Sequence, residues 1–287
     1  MDQLYQVVAY ILHPTEQKTW QRCGGILNEM DLGVFLFIVV SYFFSLSPEH
    51  LGILVGTLAL LVVFLWSQLR VKRFYFVRHG ETLLNEAGIK QGADGKLSAK
   101  GVAQARATGT AFRKRHIEAI YSSPYERAVE TAKLIQQELK GTVAVTATPL
   151  LSERRNPSAV VGRRVDDPEV KEMMGRTAYA YHEDSYRFSD EENFEDLRAR
   201  AKKCLRYLEL APSRQTIVVT HHAFLQMILS YMLYRNELHA SSYAKLAYFN
   251  PAENAGVSVC DYHPWHGRFS KTNGWEVISY NQPTILQ

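Results

Sequence analysis

The sequence predicts an α/β fold: a mostly parallel sheet sandwiched between helices, preceded by a two-helix transmembrane hairpin. Three observations carry this. Apolar, strand-like runs alternate with helical stretches from residue 70 onward, which implies a largely parallel sheet covered on both faces. One of those runs, Phe74 to Val77, suits a buried strand and stops abruptly at Arg78-His79-Gly80. Ahead of it, almost all of residues 32–69 is uncharged.

Residues 1–30 read as a cytoplasmic leader, in which Leu4 to Leu12 is apolar enough for a short helix lying on the membrane or on the domain. Residues 31–69 read as the hairpin. Leu32 to Pro48 (17 residues) and Leu51 to Leu69 (19 residues) carry no charge, and only Glu49 and His50 separate them. As helices at ~1.5 Å per residue these runs reach roughly 25 and 28 Å, just sufficient for a hydrocarbon core of ~30 Å. A buried hairpin in a soluble protein is the alternative, and apolarity on all sides opposes it. Lys18 and Arg22 precede the first run, Arg70, Lys72 and Arg73 follow the second, and the connection has no Lys or Arg. Both ends therefore belong in the cytoplasm. A monotopic hairpin would give the same orientation but would bury Glu49 and His50 in hydrocarbon. A cleaved signal peptide does not fit, because the start is not basic and the apolar run begins late.

Residues 70–287 read as the catalytic domain, long enough for one well-buried core. Strands are expected at Phe74 to Val77, Ala119 to Ser122, Val143 to Ala147 and Ile217 to Thr220. Helices are expected at Ser98 to Arg115, Pro124 to Leu139, Glu191 to Leu210 and Ala223 to Tyr234. Ser98 suits an N-cap and Pro124 a first-turn position. Val257 to Tyr262 and Trp275 to Tyr280 read as a late hairpin at a sheet edge, and 156–186 as an irregular, charged lid. The net charge of +4, without a basic stripe interleaved by aromatics, excludes a nucleic-acid partner. Three cysteines, Cys23, Cys204 and Cys260, are too few and too far apart for a disulfide framework and fit a reducing compartment.

Arg78-His79-Gly80 puts a cation and an imidazole at the carboxyl end of a strand, where open α/β sheets bind ligands. No thiol or hydroxyl nucleophile is adjacent, which points to chemistry on an anion. Phosphate fits, because guanidinium forks match its oxygens. For this pair alone, a solvated Arg and an ordinary His are an equal alternative. Arg78-His79-Gly80-Glu81-Thr82 with Asn85, Leu97-Ser98-Ala99-Lys100-Gly101 with Gln104-Ala105, Ser122-Ser123 with Arg127-Ala128 and Thr131-Ala132, Leu151-Ser152-Glu153-Arg154, and Val218-Val219-Thr220-His221 follow one another along the chain. Together they resemble the histidine phosphatase superfamily, in its phosphoglycerate-mutase-like branch.

That resemblance implies a phosphoryl transfer through a phosphohistidine on His79, with Glu153 as general acid and then base. A neutral imidazole is a competent nucleophile at pH 7. Arg78, Arg127 and His221 would hold the phosphoryl oxygens, and Asn85 would add a neutral donor. These cations leave no need for a metal or other cofactor. Arg154 would meet a second anionic group of the substrate, whereas Arg155, Arg163 and Arg164 read as a solvated basic face. His222 departs from the family, which has Gly there; it either contacts substrate or packs at a helix start. The mutases carry a Gly-Trp pair after the Asn, and this chain has Gln91-Gly92-Ala93-Asp94-Gly95 instead. A membrane-anchored phosphomonoesterase is therefore expected, with a mutase-like phosphotransferase, a soluble-metabolite or phosphoprotein phosphatase, and a non-catalytic scaffold as alternatives. Only Arg70 to Arg73 separate the apolar run from the first strand, which favours a phosphorylated lipid or lipid-linked substrate at the cytoplasmic face.

Overall fold

The computed structural model describes residues 47–68, 70–139, 143–179, 183–249, 251–264 and 274–282. The chain divides into two units, Met1–Trp66 and Ser67–Gln287. In the first, the leader and nearly all of the first apolar run lie outside the described residues. The second run forms helix α1, Pro48–Gln68. Glu49 and His50, read above as a connection, are instead its first turn. Ser47 Oγ accepts the His50 N–H at 3.4 Å, and Pro48 suits a first helical position because its missing N–H would be unpaired there anyway. Among the described side chains of α1, Ile53, Leu58, Leu60 and Val63 are all exposed, Leu60 71% so. Among the described residues no helix is long and apolar enough to cross a membrane, so the two-span hairpin is not shown.

The second unit is built on a six-stranded mixed sheet of order β3-β2-β4-β1-β5-β6. The strands are β1 Lys72–Arg78, β2 Ala119–Ser122, β3 Val145–Ala147, β4 Gln215–Thr220, β5 Val257–Tyr262 and β6 Trp275–Gln282. The β1–β4, β4–β2 and β2–β3 pairs are parallel. The late strands add the expected edge hairpin: β5 pairs antiparallel with β1, and β6 pairs antiparallel with β5 at the edge. The aromatic run of β1 is continuous because both of its faces are buried. Phe74 and Phe76 pack on one side with Leu197, Leu205, Phe224, Ile228 and Trp275. Tyr75 and Val77 pack on the other with Phe112, Ile120, Ala132 and Val219.

Helices cover both faces. On one lie α3 (Ala99–Ala111) and α4 (Glu126–Glu138); on the other lie α6 (Phe194–Leu210) and α7 (His222–Tyr234). Ser98 caps α3 as expected, accepting the Gly101 N–H. Pro124 falls just outside α4, whose cap is Tyr125. Two longer helices were not foreseen. One is α5, Pro168–Tyr179, inside the segment expected to be irregular. The other is α8, Ala240–Phe249. A four-residue helix, α2 (Leu83–Glu86), follows the β1 turn.

The turn after β1 is packed backbone on backbone. A Cβ at Gly80 would lie 2.6 Å from the Gly101 carbonyl oxygen, and one at Gly101 would overlap the Glu81 carbonyl oxygen. Neither contact can be relieved by a side-chain rotation. Gly101→Ala should therefore cost about 1–3 kcal/mol and lower catalysis by shifting the residues after His79. The denaturant midpoint and turnover would both fall; an unchanged midpoint would contradict this packing argument.

Candidate active site

The carboxyl ends of three parallel strands supply the site. Arg78 ends β1 and His79 follows it; Ser123 follows β2; Thr220 ends β4 and His221 follows it. Backbone bonds tie these ends together, His79 N–H to Thr220 O at 3.0 Å and Ser123 N–H to Val219 O at 3.0 Å. His79 is buried, and its Nδ1 lies 2.7 Å from the Gly80 carbonyl oxygen. A carbonyl only accepts, so Nδ1 carries the proton and the Nε2 lone pair is left for chemistry. Arg127 Nε donates to that Nε2 at 3.3 Å. Burial first, then the Arg127 and Arg78 charges, holds the His79 pKa well below 6.5. The imidazole is neutral at pH 7.

His221 is fully buried, with its ring 5.1 Å from that of His79. Its Nε2 lies 2.8 Å from Ser123 Oγ, which already accepts the Tyr125 N–H at 3.2 Å. Either atom can donate in this pair, according to the tautomer of His221. The Nδ1 of His221 is buried without a hydrogen-bond partner, as is Arg78 Nε. Arg78 otherwise donates to Ala252 O at 2.5 Å. Arg127 Nη1 donates to the Gly92 and Asp94 carbonyls and its guanidinium lies over the Tyr125 ring. Burial lowers the pKa of both arginines, partly offset by the charge of Glu153.

The Glu153 carboxylate lies at the N-terminus of α7. It accepts the N–H of Arg154 (2.8 Å), Phe224 (3.1 Å) and Ala223 (3.3 Å). His222 is the first residue of α7, partly buried, with Nδ1 3.2 Å from Ala252 O. Both readings made for it from sequence stay compatible with that position. Arg154 Nη2 donates to Asn156 Oδ1 at 3.2 Å. Asn85 is exposed, and its Oδ1 accepts the N–H and hydroxyl of Thr82, closing a capping box on α2. No hydrogen bond joins it to His79, Arg78 or Arg127. Arg163 and Arg164 pair with nearby acids, Arg163 with Asp167 and Glu169 and Arg164 with Asp166.

Lys90 was not foreseen. Its loop is sewn to the 162–165 segment, Lys90 N–H to Arg163 O and Gly162 N–H to Lys90 O, with a bridge between Ile89 and Arg164. Burial and then the Arg154 charge lower its pKa, against the pull of Glu153. No sequence pattern marks a lysine there; only the fold brings it beside Arg154. Among the described residues no cluster of three or more His, Cys, Asp or Glu side chains could hold a metal ion.

The chain is 31% identical over 209 residues to a Yersinia pestis protein named Probable phosphoglycerate mutase GpmB, covering 71% of this chain and 90% of that one. A shorter stretch of 70 residues is 44% identical to a Hydrogenobacter thermophilus protein named as a phosphoserine phosphatase. It spans 24% of this chain and only 34% of that relative. Among solved structures, the fold matches a mycobacterial glucosyl-3-phosphoglycerate phosphatase with a TM-score of 0.60 at 22% identity, over 74% of this chain and all (100%) of that one. It also matches a phosphoglycerate mutase from Bacillus anthracis str. Sterne with a TM-score of 0.55 at 22% identity, over 76% and 96%. The family model described as Histidine phosphatase superfamily (branch 1) covers residues 74–274, so the chain belongs to that superfamily.

Proposed function

We propose that the protein is a membrane-anchored phosphomonoesterase that works through a phosphohistidine on His79. The observation that carries this is the state of that imidazole: buried, neutral, protonated on Nδ1, and facing Arg127 through Nε2. In the first step Nε2 attacks phosphorus and the ester P–O bond breaks. Glu153 gives the leaving oxygen its proton. Arg78 and Arg127 neutralise charge on the equatorial oxygens, and His221, in the tautomer with its proton on Nδ1, donates a further hydrogen bond from that nitrogen. In the second step Glu153 takes a proton from water, the water oxygen bonds phosphorus, and the N–P bond breaks to release phosphate. Arg154, with Lys90 beside it, would meet a second anionic group on the substrate. In this reading Asn85 adds a neutral donor to the phosphate and His222 contacts the substrate. No metal or cofactor is required.

A mutase-like phosphotransferase is the second reading, favoured by the Yersinia pestis relative. It differs in the acceptor: the phosphohistidine returns its group to a second hydroxyl rather than to water. Net phosphate release from a monoester supports the first reading, and isomerisation without release supports the second. A non-catalytic scaffold would do neither. For the first unit, we propose two spans through residues 32–69 with both ends cytoplasmic, and a phosphorylated lipid or lipid-linked substrate. The support is the uncharged sequence of both runs and the exposed apolar side chains of α1.

Brief exposure to substrate should place acid-labile phosphate on His79, and His79→Ala should abolish turnover. An acid-stable phosphoenzyme would sink the assignment. The acid limb of kcat/KM should lie below pH 6.5, because His79 stays neutral to well below that value. Corrected for substrate ionisation, no limb that rises with pH should appear above about 6.5; a rising limb centred above about pH 7 would contradict a neutral buried imidazole. Activity should survive a chelator. Finally, the intact chain should outperform a chain beginning near Arg73 on phospholipid vesicles, while the two act alike on a soluble ester. Equal activity on vesicles, or no phospholipid hydrolysis at all, would leave the N-terminal segment as an anchor only.

A further inference from the structure

We infer that Arg200 is a positioning residue that fixes the Glu153 carboxylate against the leaving oxygen. The inference rests on the role proposed above for Glu153 as general acid. Arg200 lies on α6, and all five of its N–H donors are engaged. Nε and Nη2 form a fork on Glu192, at 2.7 and 2.6 Å. Nη1 donates to the carbonyls of Leu150 (3.1 Å) and Ser152 (2.7 Å), and Nη2 to that of Glu153 itself at 3.4 Å. One guanidinium thus binds three carbonyls of the short segment that carries Glu153. Its flat face covers the Phe224 ring, 3.9 Å from the centroid. Phe224 is also one of the residues whose N–H holds the Glu153 carboxylate.

Arg200 therefore joins the two supports of the acid: the loop under its backbone and the helix N-terminus under its oxygens. The pair with Glu192 is largely sheltered, with side-chain exposures of 16% and 13%. Glu192 extends the brace, since its own N–H donates to Arg155 O at 3.0 Å. A planar fork with five fixed donors suits this task, and an ammonium cannot reproduce it. Nothing in the local sequence marks Arg200, because every partner except Glu192 comes from segments distant along the chain.

The test compares Glu153→Gln, Arg200→Gln and Arg200→Lys in the full chain on two soluble monoesters, one with a nitrophenolate and one with an alkoxide leaving group. An alkoxide needs its proton; a nitrophenolate barely does. Arg200→Gln should lower kcat/KM, which ends at P–O cleavage and leaves out the hydrolysis step shared by both esters, by about tenfold or more on the alkyl ester and by less than about threefold on the nitrophenyl ester. Arg200→Lys should recover only part of the alkyl activity. Should Arg200→Gln fail to fold, Phe224→Leu removes the stacked ring but keeps the backbone N–H. It should show the same selective loss on a smaller scale. Equal losses on both esters in the Arg200 and Phe224 variants, with Glu153→Gln selective, would overturn the positioning role alone. Equal losses in Glu153→Gln itself would overturn the acid role and this inference with it.

Discussion

The imidazole of His79 is held at both nitrogens, by the Gly80 carbonyl at Nδ1 and by Arg127 at Nε2, and the turn that begins at Gly80 has no room to relax. Gly80 N–H donates to Thr131 Oγ1 at 3.1 Å, and Glu81 N–H to Gln104 Oε1 at 3.0 Å. Ser98 N–H donates to Glu81 O at 2.9 Å, and Gly101 presses against the Glu81 backbone. Ser98, Gly101 and Gln104 share the first turns of α3, and Arg127 and Thr131 share one face of α4 at the i, i+4 spacing. The spacing of those two motifs is thus the spacing needed to clamp one turn from two helices. From the other side, the Asn254 side-chain amide and the Ala255 N–H both donate to the His79 carbonyl.

This clamp explains why the sheet is arranged as it is. β4 lies between β2 and β1, with Val219 opposite both Val77 and Ser122 and Thr220 opposite Arg78. The three strands end level, so Ser123, His79 and His221 meet without long side chains. Short reach favours precision, because few torsions separate each functional atom from the rigid sheet. The bulky layers on both faces of β1 supply that rigidity. The loop around Lys90 and the 162–165 segment are joined mainly by backbone hydrogen bonds. The chemistry thus sits on the sheet, and the segments around Lys90 and Arg163 sit on loops.

The sheet was legible in the sequence because its strands are short apolar runs bounded by turns, and the edge hairpin because its two strands alternate. The five motif segments were legible because each is contiguous. Helix α5 could have been found. Asp167-Pro168 is a cap followed by a first-turn proline, and Asp167 Oδ1 does accept the Glu169 N–H at 2.9 Å. Its charged surroundings hid it. Helix α8 could not, because its first N–H, from Ala240, is capped by Asp184 from far along the chain. Lys90 and Arg200 were illegible for the same reason: what makes them matter is a neighbour that sequence distance conceals. Glu49-His50 looked like a connection because polarity breaks the apolar pattern there, yet the Glu49 carboxylate in a first helical turn is favoured by the helix dipole.

Among the described residues two groups of arginines contrast, and the difference argues for an anion site. At the surface, Arg163, Arg164, Arg176 and Arg187 each meet a carboxylate; such pairs contribute little and answer no functional need. At the strand ends, Arg78 and Arg127 are buried and bonded to carbonyls and an imidazole. Burying a cation without a carboxylate against it is costly, and the cost appears as the lowered pKa of both groups. Glu153 is near enough to offset part of that charge but spends its oxygens on backbone N–H groups. The unspent attraction is available to a dianion, and it grows as charge builds on the equatorial oxygens. A histidine kept neutral by burial and by the same arginines cannot compete for that anion as a cation, and this supports the nucleophile role proposed for it.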